Sequence, residues 1–375
     1  MCHVIFDLIL LYYRAQYLEK NWLFLHKKIM NSFFSLPIKS IKRLTKDSVQ
    51  LSFDTENSSD FNFIAGQYIT IKSIINGTEE RRAYSICSTL DEGLAIGVKL
   101  VEGGKMSTFL TKDVSVGDTL DIMPPSGNFT LSTKNNHIVG ICAGSGITPI
   151  LSMIKSELNS STTSKVTLIY SNRNSSSVMF KIDLVELEEK YPDRLKIHWF
   201  YSQEKVQSST FGRIDKDNLQ NLLNTFSEIK QANDFYICGP GQIIDNTNEL
   251  LLLNNINQSN IHFERFSVDK KNDTNSVKKD EIISNVTVCV DGEDFEFTLS
   301  SKGQTILDAA MEKGADVPFS CKGAVCCTCK AKVMQGHVTM DANYSLSEDE
   351  VKEGYVLGCQ ARPASDKVVV DFDEM

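Results

Sequence analysis

The stretch CKGAVCCTCK, residues 321–330, gathers four of the ten cysteines in a chain of 375 residues. Cys321, Cys326 and Cys329 follow the pattern C-x4-C-x2-C, and Cys359 comes after 29 further residues. That is the plant-type spacing of a [2Fe–2S] cluster, in which one tight loop supplies three thiolates and a later segment closes the cage. Gly323, Ala324 and Thr328 are small, so the backbone can wrap a cluster and aim amides at its sulfurs. Such contacts help set a reduction potential. Structural zinc favours paired C-x2-C units, and this loop has one. A Rieske centre needs a Cys-x-His pair, which the loop lacks. Cys327 falls off the ligand spacing and receives no ligand role, and Cys289 reads as a core position on a strand.

A second chemistry-bearing stretch is GICAGSGITPILSMI, residues 140–154, a buried strand, a glycine turn and a helix in succession. Gly144 and Gly146 let backbone approach a pyrophosphate, and the helix start supplies amides and a positive dipole end. Pro149 fits the first helical turn, where its missing N–H costs nothing. Two further runs, RRAYSI (81–86) and GGKMSTFL (103–110), offer cations, a flat ring and hydroxyls suited to a phosphate and a planar heterocycle. Taken singly, each could be a plain turn or barrel surface.

These motifs need three kinds of scaffold. From Ile38 to about Ser132, short alternating runs (SVQLSFDT, GQYITIKSII, RRAYSICST, LAIGVKLV, DTLDIMPP) predict an antiparallel barrel with one helix at MSTFLTK. From His137, apolar runs (HIVGICA, KVTLIYS, LKIHWFYS, DFYICG, IHFERF) alternate with helical stretches such as Phe180, Leu184, Leu187 and Tyr191. That alternation predicts βαβ units and a parallel sheet. The polar run DKKNDTNSVKKDE predicts a linker. The last segment opens with a hairpin, VTVCVDGEDFEFTL, then a helix, TILDAAMEKG, closed by Gly314. The expected divisions are an extension over 1–30, an antiparallel barrel over 31–134, a nucleotide-type α/β domain over 135–268, a linker over 269–283 and an α+β domain over 284–375.

The chain is 41% apolar and 23% charged, with a formal charge of −9, which argues against a nucleic-acid binder. Sixteen acidic against eight basic residues fall from Ser284 onward, so the acidic segment is expected to meet a basic partner surface. Scattered single cysteines suit a reducing compartment, hence a cytoplasmic location. VIFDLILLYY near the start is too short and too charged to span a membrane and lacks the features of a secretion signal. It reads as an amphipathic or disordered extension upstream of a start at Met30, with a membrane-surface helix as the alternative. No stable membrane insertion is expected.

In sequence order, R-x-Y-S (Arg82, Tyr84, Ser85), G-x-M-S-T (Gly104–Thr108), A-G-S-G-I-T-P (Ala143–Pro149) and C-G-P (Cys238–Pro240) resemble the ferredoxin–NADP reductase superfamily. With a plant-type ferredoxin segment at the end, the chain resembles the reductase components of bacterial oxygenases. YSNRNSSSVMF, YPDRLKIHWFYSQE, IHFERF, CKGAVCCTCKAKV and GYVLGCQARPASDKVVVDFD resemble the reductase subunits of phenylacetyl-CoA 1,2-epoxidases, over about Phe33 to the end.

The resemblance implies FAD, a [2Fe–2S] cluster in a β-grasp domain, and NADPH, with NADH possible. Arg82 would hold a flavin phosphate, Tyr84 would cover the ring or ribityl chain, and Ser85 would lie near the flavin's reactive nitrogen. Gly104, Lys105, Met106, Ser107 and Thr108 would bind the FAD pyrophosphate. Gly144, Gly146, Thr148 and Pro149 would form the pyridine-nucleotide turn, with Cys238, Gly239 and Pro240 beside the nicotinamide and Phe266 bordering the flavin. Ser85 and Cys238 are thus the expected catalytic pair. Arg173 lies where a 2′-phosphate would sit, which favours NADPH. Cys321, Cys326, Cys329 and Cys359 would hold the cluster. The implied activity is electron transfer from NAD(P)H through flavin and cluster to an oxygenase, with phenylacetyl-CoA epoxidase foremost. An aromatic-ring or steroid hydroxylase, a hybrid-cluster protein and a redox-sensing role stay open.

Overall fold

The computed structural model describes residues 32–56, 58–132, 136–266 and 280–374. The expected extension over 1–30 and most of the expected linker lie outside the described residues.

The first unit comprises β1 (Phe34–Thr45), β2 (Ser48–Phe53), β3 (Tyr68–Ile75), β4 (Thr78–Ser85), β5 (Ala95–Lys99) and β6 (Thr119–Ser126). They pair antiparallel in the order β4-β3-β6-β1-β2-β5. A bridge between Ile86 and Ile96, beside the Cys87 amide donating to Ala95, ties the end of β4 back toward β5 and curls the sheet into the expected barrel. Alternate residues such as Val49, Leu51 and Phe53 are buried, the period of two that a half-solvated sheet requires. The strand before Ile38 is longer than the sequence pattern predicts, because Phe34–Pro37 pair with Ile122–Thr119, a long-range contact that outweighs the proline.

The second unit is a parallel sheet of β7 (His137–Ala143), β8 (Lys165–Asn172), β9 (Leu195–Tyr201), β10 (Thr210–Phe211), β11 (Asp234–Gly239) and β12 (Ile261–Arg265), in the order β10-β9-β8-β7-β11-β12. Its central strands β7, β8 and β11 are largely apolar and buried because both faces are covered. Ile150, Ile154 and Leu184 pack among the residues of one core, and Leu223, Ile229 and Ile244 among those of another. The order reverses between β7 and β11, so the crevice at their carboxyl ends is the place where such sheets bind ligands.

In the third unit β13 (Ile283–Val290), β14 (Glu293–Ser300), β15 (Lys330–Gln335), β17 (Tyr355–Leu357) and β19 (Lys367–Asp371) form a mixed sheet in the order β14-β13-β19-β15-β17. β16 (Val338–Met340) and β18 (Ala361–Pro363) form a separate ladder. The β13–β19 pair is parallel, and the helix Ile306–Glu312 carries the crossover. Thr305 caps that helix by accepting the Asp308 amide, and Gly314, with φ of 90°, ends it as expected. Cys289 departs from its expected place in the core. Val286, Val288 and Val290 take the inward positions, so the period of two sends Cys289 to the opposite, half-buried face beside Asp373.

The first two units share a core in which Ala65, Cys87, Ala95 and Phe129 pack with Ile147, Leu151 and Met153. Gly97 of β5 makes this approach possible, since a β-carbon there would lie 2.6 Å from the Thr148 methyl. The third unit has its own core, from Val286 to Phe372. It meets the other two through point contacts, including Arg81 on Phe319 and Asp316, Tyr68 on Cys326, and Arg265 over Tyr344.

Candidate functional site

A cavity of about 540 Å³ opens where the three units meet. That is in the range for a cofactor or small-molecule site. Eleven expected site residues wall it together: Arg82, Tyr84 and Ser85 from β4; Gly104, Lys105, Met106 and Ser107; Thr148; Phe266, just beyond β12; and the cluster-loop cysteines Cys321 and Cys326. Thr108, Gly144, Gly146, Pro149, Arg173, Cys238, Gly239, Pro240, Cys329 and Cys359 are not part of the wall.

On the barrel side, the helix at Lys105–Thr108 and the strand β4 bring two cations side by side. Glu80 holds both, 3.1 Å from an Arg82 nitrogen and 2.7 Å from Lys105 Nζ. The Lys105 hydrogen bond is the main cause that keeps the Glu80 carboxyl below its ordinary range. The trio carries a net positive charge, as a phosphate site needs. Ser107 and Thr108 turn their hydroxyls back onto the Gly104 carbonyl, 3.3 and 2.7 Å away. Thr108 therefore braces the turn.

The nucleotide turn separates two glycines for which the motif alone implies one shared role. Gly144 has φ of 56°, and a β-carbon there would meet only Lys99 Nζ, at 3.9 Å. Lys99 ends β5, walls the cavity and has no carboxylate within ion-pair distance among the described residues. Gly146 packs on backbone: a β-carbon there would lie 2.2 Å from the Cys238 carbonyl oxygen. Pro149 is buried in the first turn of Ile147–Ser160, and the Thr148 hydroxyl caps back onto Ser145 at 3.0 Å. Cys238 is fully buried at the end of β11 and pairs in register with Cys142; burial pushes its thiol well up. Gly239 (φ of 151°) and Pro240 carry the chain from β11 into the helix Gly241–Leu253. Arg173 is exposed after β8, and Glu204 from the neighbouring loop accepts the Ser175 amide at 2.6 Å.

The cluster loop curls through three left-handed residues, Lys322, Ala324 and Cys327, with φ of 47°, 63° and 56°. Such conformations persist where surroundings over-determine them. Its thiols form two contacting pairs, Cys321 with Cys326 and Cys329 with Cys359; in each pair one thiol is pushed down and the other up by the hydrogen bond between them. Two irons need two thiolate ligands each, and the two pairs supply them. The donor set therefore fits a two-iron cluster. The Gly323 amide points at Cys321 Sγ from 3.3 Å, and the Thr328 hydroxyl at Cys326 Sγ from 3.3 Å. Cys327 turns its thiol to the Ser345 carbonyl at 3.2 Å, in keeping with its exclusion from the ligands.

Sequence reasoning missed Glu264. It lies on β12 in register with Cys238, and the Ser85 hydroxyl donates to its carboxyl at 3.1 Å. Burial is the main cause that pushes Glu264 up to about 8. The one signal in sequence is a carboxylate within the apolar run IHFERF.

Comparison with known proteins agrees with this architecture. Residues 35–131 match the oxidoreductase FAD-binding domain family, 141–249 the oxidoreductase NAD-binding domain family, and 288–364 the 2Fe-2S iron-sulfur cluster binding domain family. The chain is 40% identical to the E component of 1,2-phenylacetyl-CoA epoxidase from Escherichia coli K12, over 92% of this chain and 99% of that one. It belongs to the three-domain oxygenase reductases. The ferredoxin reductase component of 3-ketosteroid-9-alpha-monooxygenase from Rhodococcus rhodochrous is 31% identical, over 90% of this chain and 96% of that one. The fold is that of phthalate dioxygenase reductase, with a TM-score of 0.58, 24% identity, and coverage of 90% of this chain and 98% of that one. The reductase is thus an oxidoreductase built from FAD, NAD(P) and [2Fe–2S] domains. Among the described residues, no helix is long and apolar enough to cross a membrane.

Proposed function

We propose that this reductase draws electrons from NADPH and delivers them to a phenylacetyl-CoA epoxidase. The observation that carries the electron path is the single cavity walled both by Arg82, Tyr84 and Ser85 and by the cluster ligands Cys321 and Cys326. Flavin, when bound, accepts two electrons as a hydride and releases them one at a time, which matches a two-electron donor to a one-electron cluster. The chain's own part is placement. Arg82 and Lys105, aligned by Glu80, would hold the flavin's phosphates; Tyr84 would pack against its ring system; the Ser85–Glu264 pair would supply the polar groups beside it. With its carboxyl raised to about 8, Glu264 holds a proton at neutral pH.

Lys99 and the Gly144 turn receive the pyridine nucleotide's pyrophosphate, with Gly146 and Cys238 fixing the floor of that site. Arg173, exposed after β8, takes the 2′-phosphate. Replacing Arg173 with Gln is expected to lower the NADPH-to-NADH ratio of kcat/KM by roughly tenfold, one charge-assisted contact. An unchanged ratio overturns the NADPH assignment.

The outlet is the third unit, where Glu293, Asp294 and Glu296 are exposed on the edge strand β14, and Glu348, Asp349 and Glu353 on and beside the helix Glu348–Lys352. These acids suit a basic docking patch on the oxygenase. The Escherichia coli relative supports the epoxidase as partner. The test is reconstitution with phenylacetyl-CoA epoxidase and with a steroid hydroxylase, each across a salt series. Turnover with the epoxidase alone, suppressed by salt more than ferricyanide reduction is, is the expected result. Turnover with the hydroxylase alone overturns the partner, and equal salt sensitivity overturns the docking surface.

A further inference from the structure

Tyr68 begins β3 directly across from Ser85, and only 4% of its surface is exposed. Its ring walls the main cavity and also a neighbouring cavity of about 280 Å³ that reaches Tyr344 and Leu346. Gly127 seats the ring, since a β-carbon there would lie 2.9 Å from its edge. The hydroxyl reaches across into the third unit. It donates to the Cys326 carbonyl and lies 2.9 Å from Thr328 Oγ1, which in turn lies 3.3 Å from Cys326 Sγ. A buried phenol needs a partner. Besides Ser126 of its own unit, Tyr68 finds partners more than 250 residues away, on the loop that carries the cluster ligands.

We propose that Tyr68 is a positioning residue for internal electron transfer, clamping the cluster loop onto the flavin cavity through Cys326 and Thr328. This rests on the reading that flavin and cluster occupy the sites described above. Proton counting adds a consequence. Tyr68 and Thr328 bring two hydroxyl protons to three contacts: the Cys326 carbonyl, the contact between the two hydroxyls, and Cys326 Sγ. All three cannot be served at once. Negative charge on Cys326 Sγ favours arrangements in which Thr328 donates to sulfur, because ionised acceptors make the stronger hydrogen bonds. The clamp therefore responds to charge on a ligand that faces the cavity.

The test is rapid mixing of NADPH with the full-length holoprotein and its variants, together with hydrogen exchange of the resting proteins. In Tyr68→Phe, flavin absorbance is expected to bleach at the wild-type rate, while the later bleaching of the cluster slows about tenfold, the loss of one buried hydrogen bond. Amides 322–330 are expected to exchange about fivefold faster, with β13 and β14 unaltered. Thr328→Val gives a weaker form of the same slowing, Thr328→Ser restores the rate, and the double variant Tyr68→Phe/Thr328→Val is no slower than Tyr68→Phe alone. Wild-type transfer and exchange in Tyr68→Phe overturn the proposal. So does equal slowing of flavin and cluster reduction, which places Tyr68 inside the flavin chemistry instead. If Tyr68→Phe fails to retain the cluster, the Thr328 variants decide: equal rates in Val and Ser overturn the clamp, and unequal rates support it. Absence of flavin and cluster bands from the wild-type chain overturns the underlying reading and the clamp together. Normal wild-type bands with unaltered variants overturn the clamp alone.

Discussion

Replacing Gly146 with Ala puts the nucleotide turn under a measurable load. The new β-carbon would lie 2.2 Å from the Cys238 carbonyl oxygen and 2.6 Å from its carbon, both of them backbone atoms. Ordinary contact distances are longer by roughly 1 Å or more, so the start of the helix Ile147–Ser160 or the end of β11 must move by about that much. Overpacking against a backbone that cannot rotate away costs about 2–3 kcal/mol, the upper part of the usual span. In the shared core of the first two units that lowers the melting temperature by roughly 4–12 °C. A displacement of this size at the nucleotide turn also raises the NADPH KM by roughly tenfold or more. Gly144→Ala is the internal control. Its β-carbon meets only Lys99 Nζ at 3.9 Å, so the cost is about 1 kcal/mol for an alanine in left-handed backbone, or roughly 2–4 °C. Differential scanning calorimetry and NADPH saturation kinetics on the two variants decide the matter. A Gly146→Ala protein that melts within a degree of Gly144→Ala refutes the assignment of Gly146 to strand packing.

Three other outcomes are expected. Cys359→Ala should lose the visible absorption of the cluster and nearly all cytochrome c reduction while keeping ferricyanide reduction within about twofold; a retained cluster spectrum contradicts the ligand set. Glu264, raised to about 8, is protonated below that pH and ionised above it. The fold therefore favours its protonated form, and stability from this group falls as pH climbs from the ordinary carboxyl range toward 8. NADPH-driven flavin reduction should decline above about pH 8, and Glu264→Gln, which stays neutral, should flatten that limb; an inflection that survives in the Gln variant points to another group. Arg81 is buried with its guanidinium 4.3 Å over Phe319 and 5.0 Å over Phe33, 2.8 Å from Glu79 and 3.5 Å from Asp316. Arg81→Met should weaken docking of the third unit by about 1–2 kcal/mol. X-ray scattering should then show a larger radius of gyration, and an unchanged radius rules out the latch.

Local chemistry was what the sequence could announce. Cysteine spacing pointed to an iron–sulfur domain because the cluster loop's pattern is set mostly within one segment, and alternation of two in Val49, Leu51 and Phe53 marked barrel strands because each side chain's face follows from its neighbours. Contacts between distant segments were illegible. The Ser85–Glu264 pair spans 179 positions, and nothing in either strand's pattern says that β4 and β12 end at one cavity. Tyr68 read as one more apolar strand residue, and Arg81 as part of a basic run beside the expected phosphate ligand Arg82. Gly144 and Gly146 looked alike because a glycine's purpose, left-handed backbone or absent β-carbon, depends on what the fold brings near it. Cys289 misled for a related reason: its strand was right, but the face it takes depends on the inward set Val286, Val288 and Val290.

Flavin and nucleotide units interlock through common apolar packing, whereas the cluster-bearing unit keeps its interior to itself and leans on a few aromatic and polar touches. Inheritance should act differently on the two halves. Substitutions at the seam between the first pair must be matched across it, so those segments travel through evolution as one block. The last ninety or so residues impose few such obligations, leaving a lineage free to trade its outlet for a new recipient without rebuilding the intake.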